Sequence, residues 1–243
     1  MKCKLCNKDT ERLVKSHVIA QSIHALSTRE EDPTTAVLLS NDPRLYPQKS
    51  RTGVYDRLVC LSCEAIFQPW EDHALEFFRK AYSLAIPTKR THLELKGYDH
   101  DKLKLFFISV LWKADVSNHK VYQHVKVGEK HRNKLVDLLI GKNSGGWQDY
   151  SIFMERFNSS RPAASIMRSP GKARMERKIK FYVFYMAGFK IYIKCDSRKV
   201  PEKYRDVFLV EGHTPVPPRP YGGECLAVAL KPLTVGILKS QAQ

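Results

Sequence analysis

The chain has 243 residues, 43% of them hydrophobic and 27% charged, enough to bury a core without metal or disulfides supplying all of its stability. Its 41 Lys and Arg outweigh 25 Asp and Glu, a net charge of +16, and such an excess favours polyanion partners because each phosphate contact releases counterions. No apolar run reaches the ~18 residues that a membrane-spanning helix needs, which excludes that class and a membrane partner with it.

Met1-Lys2-Cys3 runs straight into the first cysteine motif. This reads as a chain with no leader peptide, kept in the cytoplasm where thiols stay reduced. The six cysteines form two pairs, Cys3-x-x-Cys6 and Cys60-x-x-Cys63, and two lone residues, Cys195 and Cys225, which read as packing residues. A redox pair would follow a strand, and Cys3 is too near the terminus for that. Zinc takes four tetrahedral ligands and suits thiolate, so two CxxC turns predict one closed, structural Zn2+ site. With 53 residues between Cys6 and Cys60, metal binding there contributes directly to folding. Leu13 to Ile19 reads as a strand carrying His17. Arg29 to Thr52, rich in Pro, Asp, Ser and Thr, reads as an irregular loop. Pro69 is predicted to open a helix, with Glu71 and Asp72 in its first turn and Leu75, Phe77 and Phe78 on its buried face. His24 reads as structural and His73 as part of a solvated face. A first unit is expected over residues 1–80.

Residues 81–243 predict an α+β domain. Asp101 to Asp115 is a helix capped by Asp99 or His100, apolar nearly all round and therefore central. Glu129 to Ile140 is a second helix, stopped by Gly141. Ser159 to Lys178 is Ser-, Pro- and Arg-rich and reads as a mobile arm. Ile179 to Tyr185 and Phe189 to Cys195 flank Ala187-Gly188 and predict an antiparallel hairpin. In its second strand Phe189, Ile191 and Ile193 share one face; Lys190, Tyr192 and Lys194 share the other. Tyr182, Tyr185 and Tyr192, at strand spacing, read as core. Val207 to Val210 and Cys225 to Leu230 are expected strands, joined by a proline-rich connector from Pro215 to Pro220. Between Ser151 and Val200 there are 12 Lys/Arg against 3 Asp/Glu. Arg168, Lys172, Arg174, Arg177 and Lys178 are the candidates there for tracking a nucleic-acid backbone.

One run of motifs reads Cys3-x-x-Cys6, Ser16-His17-Val18, then Leu58-Val59-Cys60-Leu61-Ser62-Cys63-Glu64. It resembles the HNH branch of the His-Me finger (ββα-metal) nucleases, and within it zinc-bearing bacterial proteins with a CxxC, Ser-His-Ile/Val, Leu-CxxC-Glu series. Glu71 and the Leu111-Trp112 pair also have counterparts in such proteins. The resemblance covers residues 3 to about 72. It implies a zinc-stabilised, treble-clef-like ββα-metal motif followed by the α+β domain, and a metal-dependent endonuclease hydrolysing phosphodiester bonds in DNA, with RNA left open. His17 would be the general base. A catalytic Mg2+ or Mn2+ would sit at Glu64, with Asp56 the nearest match to the intermediate Asn of the motif and Asn41 a weaker one. Ser16 stands where most members carry a metal-binding Asp, and its hydroxyl is a poor ligand unless water bridges it; Glu64 stands where His or Asn is usual, but is a good hard ligand. Some similar proteins act in anti-phage systems, which implies a role in phage defence with a protein partner. The missing Asp keeps a second reading open, a catalytically inactive zinc module that binds nucleic acid. A third is an interaction subunit of a defence assembly.

Overall fold

The computed structural model describes residues 1–26, 36–39, 48–50, 52–84, 93–158, 166–216 and 218–220. Asn41 and Cys225 to Leu230 lie outside them. The fold is α+β. At the N-terminus a tight turn bears the first cysteine pair, closed by Asn7 N–H on Cys3 O and Cys3 N–H on Lys8 O, both at 3.0 Å. Asn7 turns the chain at φ 57°, a conformation its short polar side chain tolerates. Strand β1 (Val14–His17) then pairs antiparallel with β4 (Tyr55–Val59), with Ser16 opposite Asp56 and His17 opposite Tyr55. Between them run helix α1 (Gln21–Leu26) and two short strands, β2 (Ala36–Leu39) and β3 (Gln48–Ser50), where an irregular loop was expected. His24 is buried in α1, against Gly53. Gly53 takes φ +77° and leaves only 3.3 Å from a would-be Cβ to the His24 ring, so the turn into β4 accepts little else.

Helix α2 (Leu61–Ser83) starts eight residues before the expected Pro69. Its cap is Cys60, in extended backbone, whose carbonyl takes the first helical N–H from Glu64 at 3.0 Å. Pro69 is inside the helix, and the carbonyl it fails to satisfy belongs to exposed Ala65, so the missing donor does not leave a buried group unpaired. Phe67, Trp70, Ala74, Phe77, Phe78 and Ala81 form the buried stripe, at the spacing of one helical face. Residue 80 falls in the last turn of this helix, and one apolar cluster runs from Cys3 to Leu209.

After β5 (Leu93–Lys96) comes α3 (His100–Val116), capped by the Asp99 carboxylate on Lys102 N–H at 3.0 Å. Every residue from Leu103 to Asp115 is buried, as its all-round apolar sequence predicts. Three charges inside it are each met: Lys104 by the carbonyls of Gly145 and Gly146, Lys113 by Glu71, and Asp115 by Arg132. Helix α4 (Glu129–Ile140) packs on α3 and ends at Gly141.

The main sheet has the order β12-β6-β10-β9-β8, built from β6 (Ile152–Asn158), β8 (Gly171–Arg174), β9 (Lys180–Met186), β10 (Phe189–Lys194) and β12 (Pro218–Pro220). All its pairs are antiparallel except β12 with β6. The β9–β10 turn uses Ala187 and Gly188, both at positive φ, as a two-residue hairpin requires. β10 keeps the expected two faces, but both are covered. Phe189, Ile191 and Ile193 join the main core, while Tyr192 packs with Phe153, Phe181 and Phe208 in a second one. On that second face Lys194 Nζ reaches Gln148 O at 2.7 Å. Tyr182 is also buried and Tyr185 half-buried, in keeping with a packing role.

Three expectations fail, the first two for one reason. The supposed mobile arm contains β7 (Ile166–Arg168), paired with β2, and β8, paired with β9. The proline-rich connector overlaps the end of β11 (His213–Val216), paired with β5, and contains β12. Val207 ends a 3-10 turn (Glu202–Val207) instead of opening a strand. Edge segments of three or four residues carry too little alternation to be read, and their pairing is supplied by a distant strand.

Candidate functional site

The four cysteines converge. Their Sγ atoms all lie within 4.8 Å of one another, with Cys6 and Cys60 at 3.9 Å. A tetrahedral site with Zn–S bonds of about 2.3 Å needs sulfurs about 3.8 Å apart, so the cluster fits a metal ion such as zinc. Its parts are one turn, the end of β4 and the first turn of α2. Cys60 N–H donates to Cys3 Sγ at 3.3 Å, which ties the two knuckles through the backbone. The Ser62 hydroxyl, 3.2 Å from Cys60 Sγ, is the main reason that thiol drops to about 6. Burial pushes the Cys63 thiol up. Four crowded thiols cannot all ionise without a cation among them, and a bound metal removes that conflict.

Beside this cluster β1, α2 and α3 bring five polar side chains together: Ser16, His17, Glu64, Glu71 and Lys113. Lys113 of α3 is the common node. Its ammonium is 2.6 Å from Glu71 Oε1, 3.1 Å from His17 O and 4.3 Å from the centre of the Phe67 ring. Glu71 lies seven residues after Glu64, two turns along the same face of α2, about 10 Å on. Burial raises the Glu64 pKa; Lys113 and the nearby Ser16 hydroxyl pull it back, and Glu71 adds to the rise. That hydroxyl does not reach hydrogen-bond geometry with Glu64. Burial also lowers the His17 pKa below the usual histidine value, and Lys113 lowers it further, against Glu71 and the Thr52 backbone. The ring stands edge-on to exposed Tyr55, 5.5 Å between centroids.

Three buried atoms here have no hydrogen-bond partner among the described residues: Ser16 Oγ, His17 Nε2 and Glu64 Oε2. Buried polar groups are nearly always paired, so three orphans in one small region need a reason. A backbone bond that favours the protonated ring is one to a carbonyl. The Thr52 backbone opposes the lowering, and Nε2 is the ring nitrogen that has no partner among the described residues.

Asp56 is placed differently. Its carboxylate takes Arg57 N–H at 2.7 Å, Asn118 N–H at 2.8 Å and Ser117 Oγ at 3.2 Å. It closes the C-terminal end of α3; burial pushes its pKa up, but those donors outweigh burial and leave it lowered. Glu71, read as a first-turn helix residue with a counterpart in the resembling proteins, is inside the cluster. Its spacing from Glu64 was a readable signal. Lys113 was missed, although a lysine that follows the apolar run from Leu105 to Trp112 marks a buried partner. His73 accepts Asp99 N–H at 2.9 Å and so orients the start of α3. Of the basic candidates, Lys172 and Arg174 are exposed on β8, and Lys178 is exposed at the end of a 3-10 turn. Arg168 ends β7 and Arg177 lies in that 3-10 turn. Among the described residues no helix is long and apolar enough to cross a membrane. Comparison with protein families, with curated proteins and with solved structures returns no match.

Proposed function

We propose that the chain is a metal-dependent endonuclease of the HNH type, hydrolysing phosphodiester bonds in DNA, with Cys3, Cys6, Cys60 and Cys63 holding a structural zinc. The observation that carries this reading is the trio of orphaned buried atoms, His17 Nε2, Glu64 Oε2 and Ser16 Oγ, around one Lys113–Glu71 pair. His17 is the base. Its lowered pKa keeps the ring neutral near pH 7, and Nε2 is free to take a proton from water. Glu64 offers a carboxylate oxygen, and Ser16 stands beside it. A divalent ion such as Mg2+ or Mn2+ at this carboxylate would neutralise charge on the scissile phosphate and the departing 3′ oxygen. Lys113 offsets the second carboxylate, Glu71, and holds the His17 carbonyl, so β1 and α2 keep one spacing. Asp56 is engaged at the end of α3, which leaves Glu64 as the ligand on which the reading rests.

The test is cleavage of supercoiled plasmid with Mg2+ or Mn2+. Wild type is expected to convert it to nicked or linear forms, and His17→Ala and Glu64→Ala to lose at least a hundredfold in rate. No cleavage by wild type, or equal cleavage by His17→Ala, overturns the proposal. One observation favours the alternative of a silent zinc module that binds nucleic acid. Lys113 already supplies a fixed positive charge to the cluster. A salt-sensitive gel shift without cleavage would establish that alternative.

A further inference from the structure

Among the described residues the five-stranded sheet ends at β8, which borders a cleft of about 450 Å3. Lys172 and Arg174 project into it from β8, Lys180 from β9, and Lys126 from the segment that leads into α4. Arg174 is paired in register with Lys180, and Lys172 lies two residues away on the same face. Like charges directly opposite each other on neighbouring strands destabilise a sheet. Among the described residues none of these four side chains has a carboxylate partner. The acid in the cleft, Asp196, does not relieve them. It is held by Arg198, at 2.8 Å from Nε and 2.5 Å from the terminal nitrogen, and by Lys180 N–H at 3.0 Å.

We propose that this cleft binds the phosphate backbone of a single nucleic-acid strand. Cations on an edge strand do guard a sheet against wrong pairing. Guarding does not require further cations from β9 and the α4 approach to surround a cavity. The volume lies within the ordinary range of ligand sites, about 300–1,000 Å3. Lys172 and Arg174 stand about 7 Å apart along the strand, so they form a row that follows a chain of phosphates instead of converging on one. The aromatic rings at its wall, Phe181 and Tyr182, are buried. The cleft therefore holds the backbone and leaves the bases unread. For substrate class the inference rests on the nuclease reading; the binding itself is independent of His17.

The test is fluorescence anisotropy with a labelled single-stranded oligonucleotide, without added Mg2+ or Mn2+ and with zinc retained. Lys172→Gln/Arg174→Gln is compared with Lys120→Gln/Lys142→Gln, an equal charge change at exposed positions outside the cleft. Far-UV circular dichroism and zinc content check that both fold. The cleft pair is expected to weaken binding at least tenfold at low salt. It should also flatten the slope of log affinity against log salt by about 1.4, two contacts at about 0.7 each for a single strand. The control pair should leave both near wild type. Equal losses from the two pairs, or no loss from the cleft pair, overturn the site. Pyrophosphate binding as tightly as the oligonucleotide overturns the strand assignment, because the ligand is then a small phosphate compound. Cleft-dependent binding without His17-dependent cleavage leaves this inference standing and ends the hydrolytic one. Cleavage that ignores the cleft does the reverse.

Discussion

Replacing Lys113 by Met tests whether a buried ion pair positions the cluster. The ammonium side chain is 1% exposed and its partner Glu71 15% exposed, at 2.6 Å. Methionine keeps most of the volume, so the substitution makes almost no cavity and isolates the charge. It removes a charge-assisted hydrogen bond to Glu71, a bond to the His17 carbonyl and the contact over the Phe67 ring. Glu71 is left buried without its cation, with Glu64 close enough to repel it. Removing one partner of a buried pair costs about 3–5 kcal/mol. The residual exposure of Glu71 lets some water in and favours the lower end, about 3 kcal/mol. Glu71→Gln alone leaves the ammonium without its anion and should cost a similar amount. The double variant removes both charges and should recover much of the loss, with a coupling energy of about 2 kcal/mol or more. Urea unfolding followed by tryptophan fluorescence in saturating zinc measures this. At a slope of about 3 kcal/mol per M, the single variant should lower the midpoint by about 1 M. A single-variant cost under 1 kcal/mol, or a double variant equal to the sum of its parts, would refute the argument that Lys113 is a structural node.

Metal content tests the four-thiolate cluster: one zinc per chain is expected, and Cys60→Ser should lose most of it, read with a chromogenic chelator after unfolding. Stripping zinc should unfold the N-terminal turn and the start of α2 while α4 and the β9–β10 hairpin persist, a division visible in hydrogen exchange. The Arg198 guanidinium holds the Asp196 carboxyl, 7% exposed, well below the usual carboxylate range. A depressed carboxylate stabilises the fold fully above its unfolded value, near pH 4, and that contribution fades as pH falls through the lower folded value. The stability gap between wild type and Asp196→Asn should therefore be widest above about pH 4 and shrink on acidification; a gap that grows as pH falls would contradict the assignment.

What could be read from the residues alone was local. Two CxxC spacings predicted that four thiols meet. The all-round apolar run of α3, the Asp99 cap, the Gly141 stop and the Ala187-Gly188 turn each carry their instruction within a few residues, so their elements appear close to where they were expected. His17 could be singled out because it follows Ser16 between the two cysteine pairs, and Glu64 because it directly follows Cys63. Pro69 misled because a proline tolerated on an exposed face of a helix looks the same in sequence as one that opens a helix. Tertiary structure alone decided the partners. It set Glu71 against Lys113 across α2 and α3, engaged Asp56 at the end of α3, and closed a second core over Lys190 and Lys194. It also made β8 an edge strand that gathers cations around a cleft. These pairings join residues far apart in the chain, and a side chain's charge and periodicity do not say which distant element will pack against it. Only the summed burial of the whole core determines that.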